Sequence, residues 1–189
     1  MKLRITAPAV LSVLAVLLTT ACATAGDKAD KKEESVPTGS VTREQIEAAA
    51  PDWVQSQVEA KPDAAAAQGL TEVEPGAEVT VFLGTWCGDS RREVPRLWSA
   101  LDASGGMVPF KVSYIVVDRE KKDPAGQAAK SDIRYVPTFI VVRDGREVGR
   151  IVESSPNGVE ADLLALLTGK AQGVISTRED LGATGSSLP

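Results

Sequence analysis

The chain has 189 residues, 43% of them hydrophobic and 25% charged, and its 26 acidic against 21 basic side chains give a formal net charge of −5. That length supports one domain with a sizeable core, and the acidic balance argues against a phosphate-backbone partner, which needs clustered Lys and Arg, so no nucleic acid is expected. The absence of histidine removes Ser-His-Asp and Cys-His nucleophiles, His-containing zinc sites and imidazole proton shuttles.

Residues 1–21 read as an export signal. Lys2 and Arg4 supply a positive start, and the fourteen residues from Ile5 to Leu18 are apolar apart from Thr6, Pro8 and Ser12. That run is too short to span a bilayer comfortably. Leu18-Thr19-Thr20-Ala21-Cys22 resembles a bacterial lipobox, with Thr19 where Leu is commoner. The resemblance implies a diacylated Cys22, stable membrane attachment and a place in the bacterial cell envelope, facing the periplasm or exterior. Ordinary cleavage after Ala23 or Ala25 is the alternative, and it removes Cys22. Either route leaves Cys87 as the one free thiol, so neither a Cys22–Cys87 staple nor a cysteine-cluster metal site is expected, and no metal or cofactor. Residues 22–40 are small, charged and polar and read as a disordered tether.

From residue 41 the periodicities alternate, which predicts an α/β arrangement. Thr42 and Gln45 have capping-box spacing and open a helix that Pro51 interrupts. Trp53, Val54 and Val58 suggest a second helical piece, and 63–68 a third that ends at Gly69. Together these form a helical extension over 41–76. Residues 78–83 form the first strand, dense enough in Val79, Val81, Phe82 and Leu83 to be buried on both faces. In the next helix Val94, Leu97, Trp98 and Leu101 make one apolar stripe, Pro95 is expected to kink it, and Gly105-Gly106 ends it. A second strand covers 112–117. Asp123-Pro124 predicts a cap and a short helix to Lys130. Residues 139–142 and 147–152 form a hairpin across Asp144-Gly145. Asn157 with Glu160 caps a last helix in which Val159, Leu163, Leu166 and Leu167 share a face and which Gly169 closes. Residues 170–189 read as a mostly unstructured tail.

Two motifs carry the chemistry. Thr85-Trp86-Cys87-Gly88-Asp89-Ser90 falls at a strand-to-helix turn, and Tyr135-Val136-Pro137-Thr138-Phe139 follows later in the chain. With Pro95 eight residues after Cys87 and the Asp144-Gly145 hairpin, these features make residues 77–169 resemble the thioredoxin fold. The resemblance implies a central mixed sheet with helices on both faces and a cis proline facing the cysteine. It also implies a ledge at Val136, Pro137 and Thr138 where an extended peptide docks. Ser90 stands where the second, resolving cysteine would be. Val81 and Tyr114 stand where thioredoxins carry a buried Asp and a Lys that help to move a proton. Loss of the second thiol together with its acid/base helpers suggests that intramolecular resolution has been dropped.

Cys87 is therefore the candidate catalytic residue. At the first turn of a helix its sulfur faces unpaired N–H groups and the positive end of the macrodipole, which favours the thiolate. Arg91 and Arg92 act in the same direction and Asp89 against it. Ser90 is expected to offer a hydroxyl to the sulfur, and Trp86 and Gly88 to border it. The reading is a monomer whose single thiol exchanges with envelope proteins bearing thiols or disulfides, or with a low-molecular-weight thiol, through mixed disulfides. Two alternatives compete. One is a redox-inactive peptide-binding module in which Cys87 is merely packed. The other is an iron–sulfur-bridging site like that of monothiol glutaredoxins, whose Cys-Gly-Phe-Ser shares the spacing but not Trp86 or Asp89. Trp53 and Trp98 read as core, Arg91-Arg92-Glu93 as a solvated helix face, and 119–122 as a charged loop.

Overall fold

The computed structural model describes residues 37–181; the export signal, Cys22, most of the tether and residues 182–189 lie outside the described residues. Three helices, α1 (Arg43–Ala49), α2 (Pro51–Glu59) and α3 (Ala64–Gly69), follow a short strand β1 (Gly39–Val41). The remainder is β2 (Ala77–Leu83), α4 (Gly88–Ala103), β3 (Lys111–Val116), α5 (Gln127–Lys130), β4 (Thr138–Arg143), β5 (Arg146–Val152), α6 (Val159–Leu167) and β6 (Gly173–Ile175), with a 3-10 turn at Glu179–Leu181. The strands form one mixed sheet in the order β1-β3-β2-β4-β5-β6. β2 and β3 are parallel, as are β5 and β6, and the other neighbours are antiparallel.

Period-two alternation in the strands explains the two cores. Val79, Val81 and Leu83 of β2, Tyr114 and Val116 of β3, and Phe139 and Val141 of β4 face the larger cluster with α1, α2, α4 and α6. Phe82, Ile115 and Ile140, one residue out of phase, face the smaller cluster with Ala128 of α5, Ile133 and Val136. Helices thus cover both faces of the sheet. The stripe of Val94, Leu97, Trp98 and Leu101 is buried, and each such aliphatic side chain contributes about 1.5–3 kcal/mol by leaving water. α4 continues through Pro95 to Ala103.

The amino-terminal helices are docked through aromatic and ionic contacts. Thr42 and Gln45 form the expected capping box, and Trp53 lies 5.9 Å from Trp98, centroid to centroid. Arg43 donates to both oxygens of Asp102 at 2.7 and 2.8 Å, pairs with Glu47 at 2.6 Å, and stacks over the Trp98 ring. The guanidinium holds the Asp102 carboxyl below the usual carboxylate range despite partial burial.

Several expectations need correction. The presumed tether includes Gly39 and Ser40, which pair with Val116 and Ile115 as an antiparallel edge strand. The presumed tail supplies β6, which pairs with β5 from Gly149↔Gly173 to Ile151↔Ile175. α5 begins three residues later than Asp123-Pro124 suggests. Asp123 still satisfies its first turn from a distance, accepting from the Ala125 N–H at 3.0 Å and the Ala128 N–H at 2.7 Å. The last helix is capped by Gly158. The Asn157 amide instead donates to Asp162, and Glu160 turns inward to Arg96. The Asp144-Gly145 turn is as expected, with both residues at positive φ (52° and 74°).

Candidate active site around Cys87

The site lies where β2 hands over to α4. Cys87 is the N-cap residue of α4, with extended backbone angles and no side-chain cap bond, so its side chain is not committed to the helix it precedes. The thiol is partly buried and unpaired. Its Sγ–H donates to the Val136 carbonyl at 3.1 Å, a contact that only the protonated thiol makes. The Val136–Pro137 peptide is cis. The two motifs, far apart in sequence, therefore meet at one atom pair. Cys87 and Trp86 pack against the smaller core, whose members include Phe82, Ile115 and Val136. No hydrogen bond from the Val136 N–H is found among the described residues.

Trp86 forms a fixed wall. Its indole N–H donates to the Val117 carbonyl at 3.2 Å, and its ring lies so close to Gly84 that a Cβ there would sit 2.6 Å from a ring carbon. Only glycine permits that approach, a requirement the sequence reading missed although Gly84 stands in the motif's approach. Arg119 and Lys121 lie 5.3 and 5.6 Å over the same ring, so the charged loop is also part of the wall.

The supporting residues divide. Gly88 is the exposed first residue of α4, and Asp89 pairs with Arg92 at 2.8 Å. Arg91 bonds Asp52 of α2 at 3.2 Å, so its guanidinium is engaged by the helical extension. Ser90 is fully buried, and its Oγ accepts from the Gly84 N–H at 3.3 Å. The Ser90 oxygen thus helps to close the end of β2, and its O–H is not used in that bond. Thr138 is likewise buried and donates to the Tyr135 carbonyl at 2.7 Å, bracing the backbone on either side of the cis peptide. Val81 and Tyr114 are adjacent core residues in register. The Tyr114 oxygen accepts from the Trp98 indole at 3.0 Å, and burial pushes its hydroxyl up to about 12. Neither offers the site a titratable group near neutrality.

Of Arg91-Arg92-Glu93, read as a solvated face, the two arginines are exposed as expected, but Glu93 is only 6% exposed. Burial pushes its carboxyl above the usual range, against the pull of Arg92, which donates at 3.0 Å. The folded-state value therefore exceeds the unfolded one, and ionisation costs the fold stability as pH rises out of the carboxylate range. Glu93→Gln, which keeps an acceptor for Arg92, is expected to raise the melting temperature at pH 7. That gain fades as the pH falls below the carboxylate range, and thermal melts across pH would show it; a pH-independent difference would refute it.

No protein-family model matches the chain. It is 30% identical over 95 residues to a thioredoxin of Staphylococcus aureus, an alignment covering 50% of this chain and 85% of that protein. It is 28% identical over 94 residues to a thioredoxin of Staphylococcus epidermidis, with the same coverage. Among solved structures it is similar to the thioredoxin of Fasciola hepatica, at 25% identity with a TM-score of 0.36, over 53% of this chain and 86% of that one.

Proposed function

The chain belongs to the thioredoxin family, and from that premise we propose that it carries out thiol–disulfide exchange with Cys87 alone, in the bacterial cell envelope, held to a membrane by a lipidated Cys22. The observation that carries the reading is the 3.1 Å contact between Cys87 Sγ and the Val136 carbonyl beside a cis proline. It sets the sulfur against the carbonyl of a residue whose N–H has no hydrogen-bond partner among the described residues.

In the proposed reaction the Cys87 thiolate attacks one sulfur of a substrate disulfide. The Cys87–substrate bond forms, the substrate S–S bond breaks, and the departing thiolate takes up a proton. Ser90 has no sulfur with which to displace the bound substrate, so a second thiol attacks the mixed disulfide and regenerates Cys87. That thiol comes from the substrate or from a small molecule. Overall the disulfide is moved rather than reduced, which suits isomerisation or release of a small thiol. No metal or cofactor takes part.

The test is trapping. The purified domain, mixed with a peptide containing a disulfide, is expected to yield a persistent adduct one peptide heavier by mass spectrometry. A small thiol should discharge it, and Cys87→Ser should form none. Absence of the adduct in the unaltered protein would leave only a peptide-binding module, a reading that the packing of Cys87 against the Phe82 cluster favours.

A further inference from the structure

The segment after β6 is held in place by contacts that converge on the two residues bordering the ledge. The Arg178 guanidinium lies 3.9 Å over the Tyr135 ring. It also pairs with Glu153 at 2.9 Å and with both oxygens of Asp180, at 2.8 and 3.0 Å. The Tyr135 hydroxyl donates to Asp180 at 3.1 Å, which joins four side chains into one cluster. Below it, the Ser176 hydroxyl donates to the Val152 carbonyl at 2.8 Å and accepts from the Arg178 N–H at 3.1 Å. The cluster is thereby tied to the end of β5.

Two of the three partners of Arg178, Tyr135 and Glu153, are next to the docking backbone. Tyr135 directly precedes Val136. Glu153 donates its N–H to the Pro137 carbonyl at 2.8 Å, and it does so at φ 60°, in the left-handed region that a residue with a Cβ avoids unless its surroundings impose it. Its own side chain is the one that Arg178 holds. None of these side chains belongs to either core cluster, and the pairs are partly exposed, so they add little to global stability.

We propose that residues 176–181 form a positioning clasp, in which Arg178 and Asp180 hold Tyr135 and Glu153 on either side of Val136–Pro137 so that an extended substrate peptide meets a preformed ledge. This deepens the single-thiol reading and rests on it. Arg178 does not touch the reacting sulfur. It acts through the ledge by lowering the ordering cost of docking.

The prediction is a split between docking and chemistry. The probe is a short neutral peptide whose one cysteine carries a thionitrobenzoate group. Attack by Cys87 forms the protein–peptide disulfide and releases thionitrobenzoate, which is followed by absorbance over a range of peptide concentrations. Arg178→Ala is expected to raise the half-saturating peptide concentration about five- to tenfold, the equivalent of one or two side chains newly left to be ordered on binding. The limiting rate and the rate of Cys87 alkylation by iodoacetamide stay unchanged. Asp180→Asn shows a smaller shift in the same direction. Arg178→Lys falls between, because it keeps a cation over Tyr135 and loses the planar fork.

An unchanged half-saturating concentration, or an alkylation rate that falls in parallel, would overturn the clasp. If the unaltered protein releases thionitrobenzoate and Arg178→Ala behaves identically, only the clasp fails. If the unaltered protein releases none, the single-thiol reading fails with it.

Discussion

Arg96→Ala is expected to lower the unfolding free energy by about 3–5 kcal/mol, the cost of leaving a buried charge without its partner. Glu160 is fully buried at the start of α6. Arg96 of α4 holds it with two hydrogen bonds, at 2.8 and 2.6 Å, and the Asp63 N–H, at the N-cap of α3, donates to it at 2.8 Å. Three helices are joined through one carboxylate. Burial pushes that carboxyl up, but the guanidinium and the N–H groups outweigh burial and hold it below the usual range. A folded-state value below the unfolded one means that the contribution is present above the ordinary carboxylate range and is lost as pH falls through the folded value. Urea titrations at neutral pH should show the full loss for Arg96→Ala, and a smaller one in acid. Adding Glu160→Gln, which removes the charge and keeps an acceptor for Asp63, should recover part of the loss. Equal urea midpoints for Arg96→Ala and the unaltered protein would refute the assignment.

Ser90→Cys is expected to shorten the life of the peptide adduct by about two orders of magnitude or more, because a thiol held on the same turn of helix competes at an effective concentration that no free thiol reaches. The products should be an internal disulfide between Cys87 and the introduced sulfur, and free peptide thiol, both countable by mass spectrometry. The swap is nearly isosteric, and what it gives up is the bond from the Gly84 N–H to the Ser90 oxygen. An adduct as durable as that of the unaltered protein would mean that something other than the missing sulfur blocks release.

The middle of the chain was legible because its signals were local. Capping-box spacing at Thr42, the stripe from Val94 to Leu101 and the Asp144-Gly145 turn each depend on residues a few positions apart, and each stands where expected. The meeting of Cys87 with Val136 was legible only through resemblance, since nothing in either motif alone names the other. What failed was non-local. Gly39–Val41 and Gly173–Ile175 are three residues each, too short to show a period, and they become strands because β3 and β5 offer them a ladder. Glu93 sits in a charged triplet, and its burial follows from the packing of α4, which no window around it reveals. Arg178-Glu179-Asp180 has the composition of a loose tail, and only the fold brings Tyr135 and Glu153 beneath it.

Both margins of the sheet are occupied by these brief flanking strands. A sheet whose outer ladders are left bare invites other chains to add on, and short terminal strands are one way proteins blunt that hazard. In this molecule the outermost strands are three residues each, so a chain adding on at either rim would find only a short ladder to extend.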